Sequence, residues 1–330
     1  MHSISARVRA VILAMLMSAL ASALLFSPMR VRAATLAGAS CTIGGADIEV
    51  SFEPGELALS RGTVFDWIAE SASAVTEYYG EFPVRRLKVV VVPLDHGEGV
   101  VFGRTFVPGP TPVIRVMLGR VITNEDLRAD WIMTHEMVHL AFPSVAREHH
   151  WIEEGIATYV EPIARAQIGD LVARKVWRDM LDGMPHGLPA AGDRGLDHTH
   201  TWGRTYWGGA LFCLLADVEI HRRTDNRFGF QDALRAIMRD GNMMTDKPLA
   251  HALKVGDDAV GVPVLAELYN QMKDAPMDPH LDELWKRLGV KVAGDSVAFD
   301  ASAPEAAIVT SIMKPRAGKP IASPWRSSKE

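Results

Sequence analysis

The segment His135-Glu136-Met137-Val138-His139 restricts what this chain can fold into more than any other feature. Positions i and i+4 share one face of an α-helix about one turn apart, so both imidazoles can reach a single metal ion if the segment is helical. Glu136 is rotated off that face and can contact a water activated by the ion. Metal-assisted hydrolysis needs this division of labour: neutral imidazoles ligate zinc at about 2.0–2.1 Å, the ion lowers the pKa of water toward about 7, and a carboxylate takes the proton. The flanks suit a helix over 124–142. Asn124 is an N-cap residue type, Glu125 and Asp126 fall in the first turn, and Pro143 stops the helix.

A catalytic zinc site needs a third protein ligand and an open position. A metzincin arrangement is excluded, because Phe142 and Val145 stand where that motif requires Gly and His. His149 and His150 are near in sequence but lie in a polar turn, where a solvated histidine is the commoner outcome. The stronger candidate is Glu154, in Trp151-Ile152-Glu153-Glu154-Gly155-Ile156-Ala157-Thr158-Tyr159-Val160-Glu161. Together with HExxH, this segment resembles the gluzincins, zinc peptidases with a downstream glutamate ligand. The likeness is closest to the aminopeptidase N-like and glycyl-aminopeptidase-like groups, whose ligand sits in a Trp-x-x-Glu-Gly-x-Ala-x-Tyr-x-Glu pattern. It spans roughly residues 87–240 and implies an α+β, thermolysin-like zincin catalytic domain holding one Zn2+ per chain. The resemblance assigns His135, His139 and Glu154 as ligands and Glu136 as general base. Helical phase agrees, since Glu154, Thr158 and Glu161 share one polar stripe whereas Glu153 lines up with Ala157 and Val160.

Glu161 lies two turns beyond Glu154 on the same face and is expected to accept the second ring N–H of a ligand histidine; an acid facing solvent is the alternative. Hydrolysis also needs a donor where the oxyanion develops. Tyr206, in Tyr206-Trp207-Gly208-Gly209, resembles the Tyr-x-x-Gly pattern that opens the helix after the ligand-glutamate helix in these families, which implies that role. Arg204 and His200 are weaker substitutes, and Asp197-His198-x-His200 reads as part of a polar loop. A strand over 112–118 precedes the HExxH helix, where these folds place an edge strand that pairs with an extended peptide. The Gly-x-Met-Glu-Asn element that recognises a free amino terminus in aminopeptidase N relatives is missing, and Gly97-Glu98-Gly99 is a weak stand-in. The implied partner is a peptide or protein, with endopeptidase and aminopeptidase action both open. A competing reading is a zinc-stabilised binding module of the cell envelope without turnover; a purely structural site would need neither Glu136 nor Tyr206.

Arg7 and Arg9 precede an apolar run over 11–26, and Val31-Arg32-Ala33 places small residues before a cleavage point. That is a secretory signal pattern over 1–33, and the run is shorter than the roughly 20 residues that span a bilayer. The mature protein is expected in the periplasm or outside the cell, with no stable membrane insertion. Lys and Arg number 35 against 40 Asp and Glu, and with the four leader arginines removed the formal charge falls from −5 to −9. An acidic body argues against a nucleic-acid partner, which requires a basic face. Cys213 lies in an apolar run and reads as a buried thiol; a bridge to Cys41 cannot be decided from spacing.

The remainder divides into a β-rich part over 40–123 and a helical part over 124–313, one catalytic domain, followed by a Lys/Pro/Ser tail over 314–330 without expected order. Strands are expected over 47–52 and 87–92, a glycine-rich hairpin or loop over 97–109, and helices over 64–79, 151–160, 170–181, 206–221, 230–239, 264–272 and 281–288. Residues 183–204 lack periodicity and are long enough to suggest a functional loop or lid. The run 307–313 has the look of a last strand.

Overall fold

The computed structural model describes residues 38–315 and the strand Trp325–Ser327. The leader expected over 1–33 lies outside the described residues, as does most of the segment 314–330.

Alternating apolar residues build the first layer. β1 (Ala39–Ile43) and β2 (Ala46–Phe52) form a hairpin closed by Gly44-Gly45, both at positive φ. Helix α1 (Arg61–Tyr79) carries the chain to β3 (Arg86–Pro93), which pairs parallel with β2. Ser60 caps α1 by accepting the Thr63 N–H at 3.1 Å, and Gly80 ends it with φ 86°. β4 (Val100–Phe106) and β5 (Val113–Leu118) form a second antiparallel hairpin, and β5 pairs parallel with β3. With β8 (Trp325–Ser327) beside β1, the order is β4-β5-β3-β2-β1-β8. Ile48, Val50 and Phe52, Val89 and Val91, and Ile114, Val116 and Leu118 bury one sheet face.

The helical layer consists of α2 (Asn124–Ala129), α3 (Ile132–Val138), α4 (His150–Gln167), α5 (Ala173–Gly183), α6 (Gly209–Arg223), α7 (Phe230–Asp240), α8 (Leu249–Val260), α9 (Val264–Met272), α10 (Leu281–Leu288) and α11 (Ala306–Met313). A small hairpin, β6 (Val290–Ala293) and β7 (Ser296–Phe299), sits apart from the main sheet. The α+β order read from the sequence is therefore present: a mixed sheet first, then helices.

Four local expectations are corrected. The run expected as a strand over 307–313 is helix α11; it buries Ile308, Val309 and Ile312, a helical spacing that so short a run cannot distinguish from a strand. The edge strand is β4, within the glycine-rich stretch, whereas β5 lies inside the sheet and Pro112 stands just before its first residue, where no ladder N–H is required. The single helix over 124–142 is broken at Asp130, and Thr123 rather than Asn124 caps its first piece. Within the tail expected to lack order, Trp325–Ser327 pairs with Ala39–Cys41. Both cysteines are buried free thiols.

Helices α4 and α6 cross with their backbones nearly touching. A Cβ at Gly155 would lie 2.3 Å from the Gly209 carbonyl carbon, and one at Gly209 would lie 2.1 Å from the Trp151 oxygen. Glycine is required at both positions because the contact is with backbone, which cannot swing aside. Gly155→Ala should therefore destabilise the fold by about 1–3 kcal/mol, measured as a lower denaturation midpoint with unchanged m-value; an unchanged midpoint would contradict the crossing.

Candidate active site

Helix α3 begins because of Asp130. That residue turns the chain out of α2 with ψ 140°, and its carboxylate accepts the N–H groups of Ile132 and Met133, each at 3.0 Å. Burial raises the Asp130 carboxyl to about 6 against the pull of those N–H bonds. Two turns of helix later, the His139 N–H still bonds to the His135 carbonyl before the chain tightens into the 3-10 turn His139–Ala141, so the i, i+4 relation survives. The two rings stand 4.8 Å apart and nearly perpendicular.

Glu154, from α4, meets both of them. Its Oε2 lies 3.2 Å from His135 Nε2 and 3.6 Å from His139 Nε2. His135 and Glu154 are buried, and His139 nearly so. Burial pushes the His139 imidazole down to about 4, the neutral form a metal ligand requires. Burial alone would raise Glu154, but the facing histidines hold its carboxyl well below the usual range. His150 spans the rim, with Nε2 3.2 Å from Glu154 Oε1 and Nδ1 3.0 Å from Glu153 Oε2. Glu153 thus turns to His150 rather than to the paired histidines, and His149 is elsewhere, 3.0 Å from Asp197.

These atoms fit a divalent ion. Donors about 2.0–2.1 Å from a tetrahedral zinc stand about 3.3 Å apart, and the two imidazole nitrogens sit at close to that separation from one carboxylate oxygen. Glu136 also offers a ligand atom within 4.8 Å of those of His135 and His139. Two carboxylates therefore face the histidine pair. Glu154 makes the closer approach, while Glu136 is held by Thr105, whose hydroxyl lies 2.7 Å from its Oε2. Burial raises the Glu136 carboxyl, opposed by His135 and by the Thr105 hydrogen bonds.

Tyr206 reaches the same place from an uncommon backbone. Residues Gly203–Gly208 form a π-helical turn ahead of α6, an insertion frequent at functional sites. The Tyr206 ring lies nearly parallel to that of His135, with centroids 6.3 Å apart. Burial and the charges of Glu154 and Glu136 push its phenol upward, so it stays a proton donor. Arg204 is not free to act here: it is buried in an ion pair with Asp193 at 2.8 Å and donates to the Gly187 carbonyl. That pair pins the stretch expected as a lid. Asp197 within the same stretch is buried under bonds from Trp151 at 2.7 Å and Tyr269 at 2.9 Å, and His198 pairs with Asp274.

Glu161 does not take the partner expected of it. Among the described residues His135 Nδ1 has no hydrogen-bond partner, and Glu161 Oε1 accepts from Arg165 Nη1 at 2.9 Å. Arg165 also donates to the carbonyls of Asp130 and Arg128 and to Asp170, tying α4 to the break before α3. Arg165 stands one helical turn from Glu161, a local ion-pair signal, and Asp130 is a cap-type residue; the bonds of Arg165 to the Asp130 and Arg128 carbonyls and of Thr105 to Glu136 join residues 31 to 37 positions apart and were not legible.

Search of the solved structures places the fold. A crystal structure of an aminopeptidase N family protein from Idiomarina loihiensis aligns with TM-score 0.56 and 14% identity, covering 82% of this chain and 53% of that one. The fold is gluzincin-like. An M1 zinc metallopeptidase from Deinococcus radiodurans aligns with TM-score 0.49 and 14% identity over 73% of this chain and 51% of its own. The chain thus spans about half the length of these proteins. No family model and no curated protein matches the sequence.

Arg165→Met should leave the buried Glu161 and the half-buried Asp170 without their cation and cost about 3–5 kcal/mol, read from thermal or denaturant unfolding. Adding Glu161→Gln should recover part of the loss; no recovery would contradict the pairing.

Proposed function

We propose that this protein is an exported, zinc-dependent peptidase. The observation that carries the reading is the convergence of two imidazoles and one carboxylate, buried or nearly so, at metal-ligand spacing, with a second carboxylate and a tyrosine hydroxyl beside them. His135, His139 and Glu154 would hold the ion, which when bound supplies Lewis acidity toward a water and the substrate carbonyl. Glu136 takes the proton of the attacking water and passes it to the amide nitrogen as the C–N bond breaks. Tyr206 donates its hydroxyl to the tetrahedral oxyanion. An extended peptide would lie along β4, the outer strand of the described sheet, and pair with its main chain. That strand, Val-Val-Phe-Gly-Arg-Thr-Phe, carries no carboxylate for a free amino terminus, which supports cleavage within a peptide.

Export to the periplasm or the extracellular space is proposed on the leader pattern over 1–33. Among the described residues no helix is long and apolar enough to cross a membrane. The acidic body supports a peptide partner over a nucleic acid.

Glu136→Gln should retain zinc and lose turnover by about 100-fold or more, measured on a quenched-fluorescent peptide library. Equal turnover in the variant would remove Glu136 as base. Peptides with acetylated and free amino termini should be cut alike; strict dependence on a free terminus would convert the reading to an aminopeptidase.

A further inference from the structure

Thr105 is on β4, the strand at the open edge of the described sheet, and its side chain reaches the helix that carries HExxH. Gly103, two residues earlier and on the same face, makes the approach possible. A Cβ there would lie 2.4 Å from Ile132 Cγ2 and 2.9 Å from Glu136 Cγ. With that space open, Thr105 Oγ1 comes within 2.8 Å of the Glu136 main-chain oxygen and 2.7 Å of its Oε2. One hydroxyl thus grips both the backbone and the carboxylate of a single residue 31 positions away.

We propose that Thr105 is a positioning residue for Glu136: it holds Oε2 against the edge strand, fixing the carboxylate so that Oε1 serves the attacking water. The inference rests on the peptidase reading for what Glu136 does, but the grip itself does not. A hydroxyl carries one hydrogen and two lone pairs. Its one hydrogen is shared between Oε2 and the main-chain oxygen, and it donates to Oε2 whether that atom belongs to the ionised carboxylate or, once Oε1 holds the transferred proton, is the carbonyl oxygen of the acid. The contact therefore persists through the transfer. Because Thr105 belongs to the strand along which a peptide would pair, the base and the substrate platform share one rigid element. Partners of this kind around catalytic and metal-binding groups typically contribute a factor of about 10–100.

The test compares Thr105→Val, which keeps shape and strand preference but removes the hydroxyl, with Thr105→Ser, which keeps the hydroxyl. Zinc content should be unchanged in both. With the best-cleaved library peptide, Thr105→Val should lower kcat by about 10- to 100-fold at unchanged KM, and Thr105→Ser should restore most of it. In the Glu136→Gln background, which binds without turnover, adding Thr105→Val should leave peptide affinity unchanged. Crystal structures should show Glu136 displaced in Thr105→Val and held in Thr105→Ser. Full turnover in Thr105→Val, weaker peptide binding in the double variant, or an unmoved Glu136 would each overturn the proposal. If the wild type binds zinc and cleaves nothing, the peptidase reading falls, and the crystallographic comparison still decides whether Thr105 fixes Glu136.

Discussion

A carboxylate brought against two imidazoles in a nearly dry interior is the interaction around which this molecule is arranged. Burying Glu154 unpaired would cost several kcal/mol, and facing it with His135 and His139 repays that cost only at close range. Range is set by backbone. Gly155 and Gly209 let α4 and α6 touch, which carries Tyr206 to the histidines, and Arg165 binds α4 to the carbonyls that precede α3. Asp130 then starts α3 at a fixed point by capping it. Each device governs the relative placement of two helices rather than the strength of either.

The sheet has a different role. Its buried face anchors the helices, while its edge supplies Gly103 and Thr105 to Glu136. The result is a division between groups: His135, His139 and Glu154 are positioned by helix packing, and the remaining carboxylate is positioned by a strand. A shift of the edge strand would therefore alter Glu136 while leaving the other three in place.

Much of the site could be read from residue types at fixed spacing. His135 and His139 follow from helical geometry, and Glu154 and Tyr206 from motifs whose glycines prove to be contact points between helices. The sequence also showed the order of sheet and helices. What escaped depends on which of several partners a side chain takes. Glu161 was read as a partner of a ligand histidine from its place two turns beyond Glu154 on the same face, but Arg165, one helical turn further on, takes it. β4 was obscured by the glycines around it, of which Gly103 serves its close approach to α3, so the edge was assigned to β5, whose flanking proline suits an edge. The run ending at Met313 was ambiguous because a short apolar segment fits either period, and only its packing decides.

The most direct measurement is metal content of the purified protein beside its Glu154→Ala variant, by elemental analysis after dialysis against metal-free buffer. One zinc per chain in the wild type, lost in the variant while the fold is kept, is the expected result. No bound metal in the wild type, or equal zinc in both, would contradict a centre built from His135, His139 and Glu154.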